Sequence, residues 1–103
     1  TRRLLTLIAK KVGMLDNRVV VEGHTDAQPY RLGAFYTNWE LSTDRANAAR
    51  RVLESGGLWK GQVAEVRGYA DTRLRMPHDP FHFSNRRVSL LIPYLSETEA
   101  PAP

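Results

Sequence analysis

Two carboxylates stand at matching places in this sequence. Asp26 closes Gly23-His24-Thr25-Asp26 and Asp71 closes Gly68-Tyr69-Ala70-Asp71, each after a run of β-type residues. Parallel strands would deliver both aspartates to one rim of a sheet, where each can cap a turn or meet a cation. For Asp71 turn capping is the simpler role. Asp26 has a partner that can be named. Arg45 shares a helical face with Leu41 and Val52 and flanks the apolar stripe of its segment, so it can reach the rim. Such a pair forms either a plain salt bridge, worth about 0–1 kcal/mol when exposed, or a two-pronged site. In the second case Asp26 takes an ammonium group and Arg45 a carboxylate, bidentately, and together they recognise a zwitterionic amino-acid head.

The elements that must carry these residues can be read from periodicity. Leu4, Leu5, Ile8 and Val12 recur at helical spacing, with Lys10 and Lys11 in the last turn and Gly13 beyond it, which predicts a helix over residues 2–12. Residues 18–22 are short and β-branched, as an interior strand requires, and are expected to stop at Gly23. Residues 24–37 read as a loop with Pro29, Gly33 and the aromatics Tyr30, Phe35 and Tyr36. Thr37-Asn38-Trp39-Glu40 is a capping box, so a helix follows, with Trp39, Ala46, Ala49 and Leu53 as its apolar stripe and Gly56-Gly57 as its stop. Residues 63–69 and 87–92 are the remaining strands, the last placed at an edge by Pro93, with a loop over 70–85. The order α-β-α-β-β demands a parallel pair with a right-handed crossover, helices on one face, and ligands at the carboxyl ends of the parallel strands.

With 103 residues, 42% hydrophobic and 25% charged, the chain is expected to form one globular domain over residues 1–95, followed by a disordered tail at 96–103. Its net charge of +4 suits any anionic partner, but no Lys/Arg run is interleaved with stacking aromatics, so no nucleic-acid partner is expected. There is no cysteine, hence no disulfide or thiolate metal site. No apolar run approaches the roughly 18 residues of a membrane span, so any membrane anchor is expected outside this chain, as is a strand ahead of the first helix.

Four pieces in order, Gly23-His24-Thr25-Asp26, Asn38-x-x-Leu41-Ser42-x-x-Arg45-Ala46, Gly68-Tyr69-Ala70-Asp71 and Asn85-Arg86-Arg87-Val88, resemble the signature of the OmpA-like C-terminal, peptidoglycan-binding domain family. The resemblance implies a two-layer α/β sandwich of the OmpA-like type with a mixed sheet. It implies that Asp26 and Arg45 hold the amino and carboxylate groups of diaminopimelate in the peptide stem of peptidoglycan. It also suggests Thr25 and Asn38 as scaffold or contacts, Leu41 as an apolar wall and Arg86 as a basic group near the ligand carboxylates. Arg86 and Arg87 otherwise read as a solvated strand start. Within the family, Pro29-Tyr30, residues 37–42 and the proline-bearing loop after Asp71 most resemble the periplasmic part of flagellar motor stator proteins. That likeness implies wall anchoring in the periplasm, a homodimer, other motor components as partners, an inner-membrane anchor in the full-length protein and no cofactor.

Two other functions compete. A hydrolase would use Asp26 with Asp71 or His24 as acid and base, and a metal site would use His78, Asp79 and His82; both patterns are unspecific, and no enzyme is expected. His24 reads more simply as a packed strand-end residue. An interaction module would use Tyr30, Phe35, Trp39, Phe81 and Phe83 as contact residues, leaving Asp26 and Arg45 a structural pair.

Overall fold

Apolar residues at helical spacing give α1 (Arg2–Val12) a buried side of Ala9 and Val12, with Leu5 and Ile8 partly covered. In this computed structural model, which describes residues 2–29 and 35–93, the elements that follow are β1 (Val19–His24), α2 (Asn38–Gly56), β2 (Val63–Gly68), a single 3-10 turn (Phe83–Asn85) and β3 (Arg87–Leu91). Tyr30, Gly33 and the expected tail at 96–103 lie outside the described residues.

The sheet is mixed, in the order β2-β1-β3. β1 runs parallel to β2 and antiparallel to β3, with Gly23 opposite Gly68 on one side and Val88 on the other. β1 is therefore central and buried along its length, and β3 is an edge strand among the described residues. Both helices cover one face. Val19 and Val21 point into a core with Ala46, Ala49, Leu53 and Leu58, and Val63, Val66 and Leu90 pack against it. Fully buried Gln62 closes one end, donating to the carbonyls of Val12 at 2.9 Å and Asn17 at 3.0 Å. The opposite face carries a charged row in which Glu22 pairs with Arg67 at 3.2 Å and Arg67 with Glu65. No helix among the described residues is long and apolar enough to cross a membrane.

Two expectations need correction. β1 does not stop at Gly23 but continues through it to His24. Gly23 is a point of close approach, since a Cβ there would stand 1.9 Å from the Ser42 carbonyl oxygen. Trp39 is not part of the apolar stripe of α2; it is 53% exposed, and Ser42, fully buried, takes that place. Only small residues let the helix lie this close to the strands, and an indole does not fit there.

Candidate functional site

The two Gly-x-x-Asp tetrapeptides are in register. Gly23 and Gly68 are Cα partners, Tyr69 N–H donates to the Gly23 carbonyl at 3.1 Å, and Thr25 N–H to the Ala70 carbonyl at 2.8 Å. The ladder thus extends past the strands and brings Thr25 and Asp26 out at the rim. α2 begins at the same rim, because Thr37 caps it: its hydroxyl accepts from Trp39 N–H at 3.3 Å, and its own N–H donates to Glu40 Oε1 at 2.7 Å. The Thr37 hydroxyl also donates to Glu40 Oε1 at 2.8 Å, and this bond, together with that from the Thr37 N–H, holds the Glu40 carboxyl below the ordinary carboxylate range. Ser42 ties helix to rim, its hydroxyl accepting from Ala70 N–H at 3.0 Å. Ala70 has a φ of 51°, the left-handed turn that redirects the chain after β2.

A third segment completes the rim. Asn85, fully buried, accepts from Met76 N–H at 2.7 Å and donates to the carbonyls of Asp79 at 3.0 Å and Pro80 at 3.2 Å, which ties the 76–85 loop together. The Pro80 carbonyl accepts from Ala27 N–H at 2.9 Å, docking that loop beside Asp26. Arg86 follows directly.

One pocket of about 250 Å³ is lined by Thr25, Asp26, Gln28, Pro29, Asn38, Leu41, Arg45 and Arg86. All six residues singled out in the sequence therefore share it. Asp26 is 8% exposed, and its Oδ1 accepts from Gln28 N–H at 3.0 Å. Its Oδ2 meets Arg86 Nε at 3.4 Å, not Arg45. Arg45 is exposed and has no ion pair or side-chain hydrogen bond among the described residues. The Thr25 hydroxyl donates to the Asp26 carbonyl at 2.9 Å, and the Asn38 amide to the Gln28 carbonyl at 3.1 Å, so each ties down backbone of the rim. The plain Asp26–Arg45 salt bridge is thus not what forms. Asp26 is also the aspartate that caps a turn, through Gln28. Asp71 lies outside the pocket and makes no side-chain hydrogen bond to the described residues, so its expected cap is absent.

His82 and His24 serve local structure. His82 Nδ1 accepts from Ser84 N–H at 3.0 Å and its ring stacks on Phe83, centroids 4.6 Å apart. His24 is 2% exposed and stacks on Tyr69 at 5.2 Å, as a packed strand-end residue. Sequence reasoning missed Ser42 and Asn85 as organisers of the rim. Both stand inside the four signature pieces, so the signal was present, but their partners are distant in the chain.

A mixed three-stranded sheet with two helices on one face and a small charged cleft at the strand ends defines the class. The chain belongs to the OmpA family, whose model matches residues 1–86. Among relatives, it is 47% identical over 92 residues to motility protein B of Escherichia coli K12, covering 88% of this chain and 30% of that protein. The chain thus spans about a third of that relative's length. Among solved structures it resembles the periplasmic domain of Helicobacter pylori MotB, with TM-score 0.74 and 27% identity over 86% of this chain and 63% of that one. The cell wall anchor of the type VI secretion system of Pseudomonas aeruginosa gives TM-score 0.73 and 27% identity, over 88% and 64% respectively.

Proposed function

We propose that this domain binds peptidoglycan non-covalently through the diaminopimelate of its peptide stem, and so anchors a flagellar motor stator to the cell wall from the periplasm. The observation that carries it is the division of charge in the pocket: a fixed, nearly buried carboxylate at Asp26 and an exposed guanidinium at Arg45 with no partner of its own among the described residues. A zwitterionic head satisfies both, its ammonium on Asp26 and its carboxylate on Arg45. At about 250 Å³ the pocket is smaller than most drug-sized sites and suits such a head. Likeness to motility protein B supports the stator role, and likeness to a cell wall anchor supports the ligand. The role proposed is adhesion.

The test is sedimentation with isolated diaminopimelate-type peptidoglycan. Asp26→Ala and Arg45→Ala are each expected to bind about ten- to hundred-fold more weakly than wild type, as loss of a charge-assisted hydrogen bond requires. Equal retention of all three proteins would sink the assignment.

A second role, self-association, is favoured by a separate observation. Leu4, Leu5, Ile8, Val21, Leu53, Val88 and Leu90 line an apolar groove beside the edge strand β3. A second copy pairing β3 with β3 antiparallel about Ser89 would set Arg87 opposite Leu91, without apposing like charges. Light scattering that gives a monomer mass at all concentrations would exclude it.

A further inference from the structure

α1 turns to solvent a side that is both basic and apolar. Arg3, Leu7, Lys10 and Met14 follow one another at helical spacing, with Leu4 and Lys11 beside them, and this arc lies opposite the buried Ala9 and Val12. The winding reaches Met14 because Gly13 N–H donates to the Ala9 carbonyl at 2.8 Å and Met14 N–H to the Lys11 carbonyl at 3.2 Å. Leu4 and Leu7 are more than half exposed, and Met14 is 81% exposed. Arg3, Lys10 and Lys11 are exposed too. No carboxylate interrupts the arc, since α1 has none and the first in the chain is Asp16. Arg2, Arg3, Thr6, Leu7 and Lys10 line an open groove of about 540 Å³. None of these residues lines the pocket of Asp26 and Arg45.

We propose that the outward arc of α1 docks this domain on an anionic phospholipid surface. The contact is independent of the peptidoglycan pocket, and it is peripheral, because no helix among the described residues is long and apolar enough to cross a membrane. Arg3, Lys10 and Lys11 meet lipid phosphates, while Leu4, Leu7 and Met14 enter the boundary of the acyl chains. The mixture of side chains chooses the partner. A soluble polyanion would pair with the cations and leave three large apolar groups in water. A zwitterionic membrane would take the apolar groups and gain little from the cations. An acidic protein would need apolar pockets matched to this row, whereas an anionic bilayer satisfies both halves without a matching shape. Ala9 and Val12 stay in the core throughout, so docking requires no unfolding.

Sedimentation of this chain with vesicles tests it, using phosphatidylcholine mixed with phosphatidylglycerol in one set and phosphatidylcholine alone in the other. Wild type is expected to bind the phosphatidylglycerol vesicles, to bind the others about tenfold or more weakly, and to be released as salt rises. Lys10→Gln should weaken binding about fivefold. Arg75→Gln, which removes the same charge beside Arg87 on the sheet face away from the helices, should leave it unchanged. Leu7→Ser/Met14→Ser keeps every charge and should weaken binding about tenfold. All the replaced side chains are exposed, and circular dichroism melts matching wild type check that each variant is folded. The proposal is overturned if wild type does not prefer phosphatidylglycerol, or if Lys10→Gln and Arg75→Gln lose the same amount. It is overturned as well if Leu7→Ser/Met14→Ser binds as wild type does, a result that would mark a purely electrostatic surface open to a soluble polyanion.

Discussion

His24 lies under Tyr69 with Nε2 3.5 Å from Glu22 Oε1, and neither ring nitrogen has a hydrogen-bond partner among the described residues. Arg87 stands directly across on β3, and Arg73 stacks over the same tyrosine, 4.0 Å from its centroid. Burial, and then the Arg87 charge, lower the imidazole pKa below its ordinary 6.5, with Arg73 adding to this and Glu22 opposing it. The unfolded chain therefore takes up this proton first as the pH falls. Its contribution to stability is whole above pH 6.5 and drains away as the pH drops from there toward the folded pKa. The thermal midpoint of wild type should fall between pH 7.5 and 5 more steeply than that of His24→Gln; parallel slopes would refute this. At this scale the sequence shows Asp26 and Arg45 because charge type and helical spacing are local facts. It does not show that Arg86 is the residue that reaches Asp26, because the docking of the 76–85 loop through Asn85 brings it there.

α2 sits on the sheet by virtue of two glycines opposite each other. A Cβ on Gly23 would stand 1.9 Å from the Ser42 carbonyl oxygen, and one on Gly68 2.0 Å from Thr43 Oγ1. Gly23→Ala must push helix from strand and should cost about 1–3 kcal/mol, as overpacking does. Gly68→Ala should cost a similar amount, since rotating the Thr43 hydroxyl away still leaves the Ser42 hydroxyl at 2.8 Å and the Thr43 backbone nitrogen at 2.9 Å from the added Cβ. Urea denaturation measures both, and a Gly23→Ala protein as stable as wild type would disprove the close approach. At the start of the same helix, Thr37→Ala removes the cap and should cost about 0.5–2 kcal/mol, largely recovered in Thr37→Ser. The cap was readable from Thr37-Asn38-Trp39-Glu40 because all its partners lie within one turn. The role of Gly23 was not, since a glycine after a β-type run signals a stop equally well, and only the position of α2 separates the two meanings.

Across the whole molecule, core and pocket occupy different regions, which separates what holds the fold from what the site needs. Element order and the parallel pair follow from hydrophobic periodicity and the right-handed crossover. The pairing of β3 with β1 does not, because antiparallel neighbours far apart in sequence leave no local trace. Leu53 is 1% exposed at the centre of the core, so Leu53→Ala should lower the unfolding free energy by about 2–5 kcal/mol. It lines no part of the pocket of Asp26 and Arg45, and below its lowered melting range the variant should sediment with peptidoglycan as wild type does. Arg45→Ala is the reverse case. Its guanidinium is exposed and touches no charged partner among the described residues, so the unfolding free energy should stay within about 0.5 kcal/mol of wild type while wall binding falls. Circular dichroism melts and the sedimentation assay, run on both variants, give four measurements. If Arg45→Ala lost stability and binding together, the guanidinium would be a structural residue, and the clamp would lose its carboxylate-binding half.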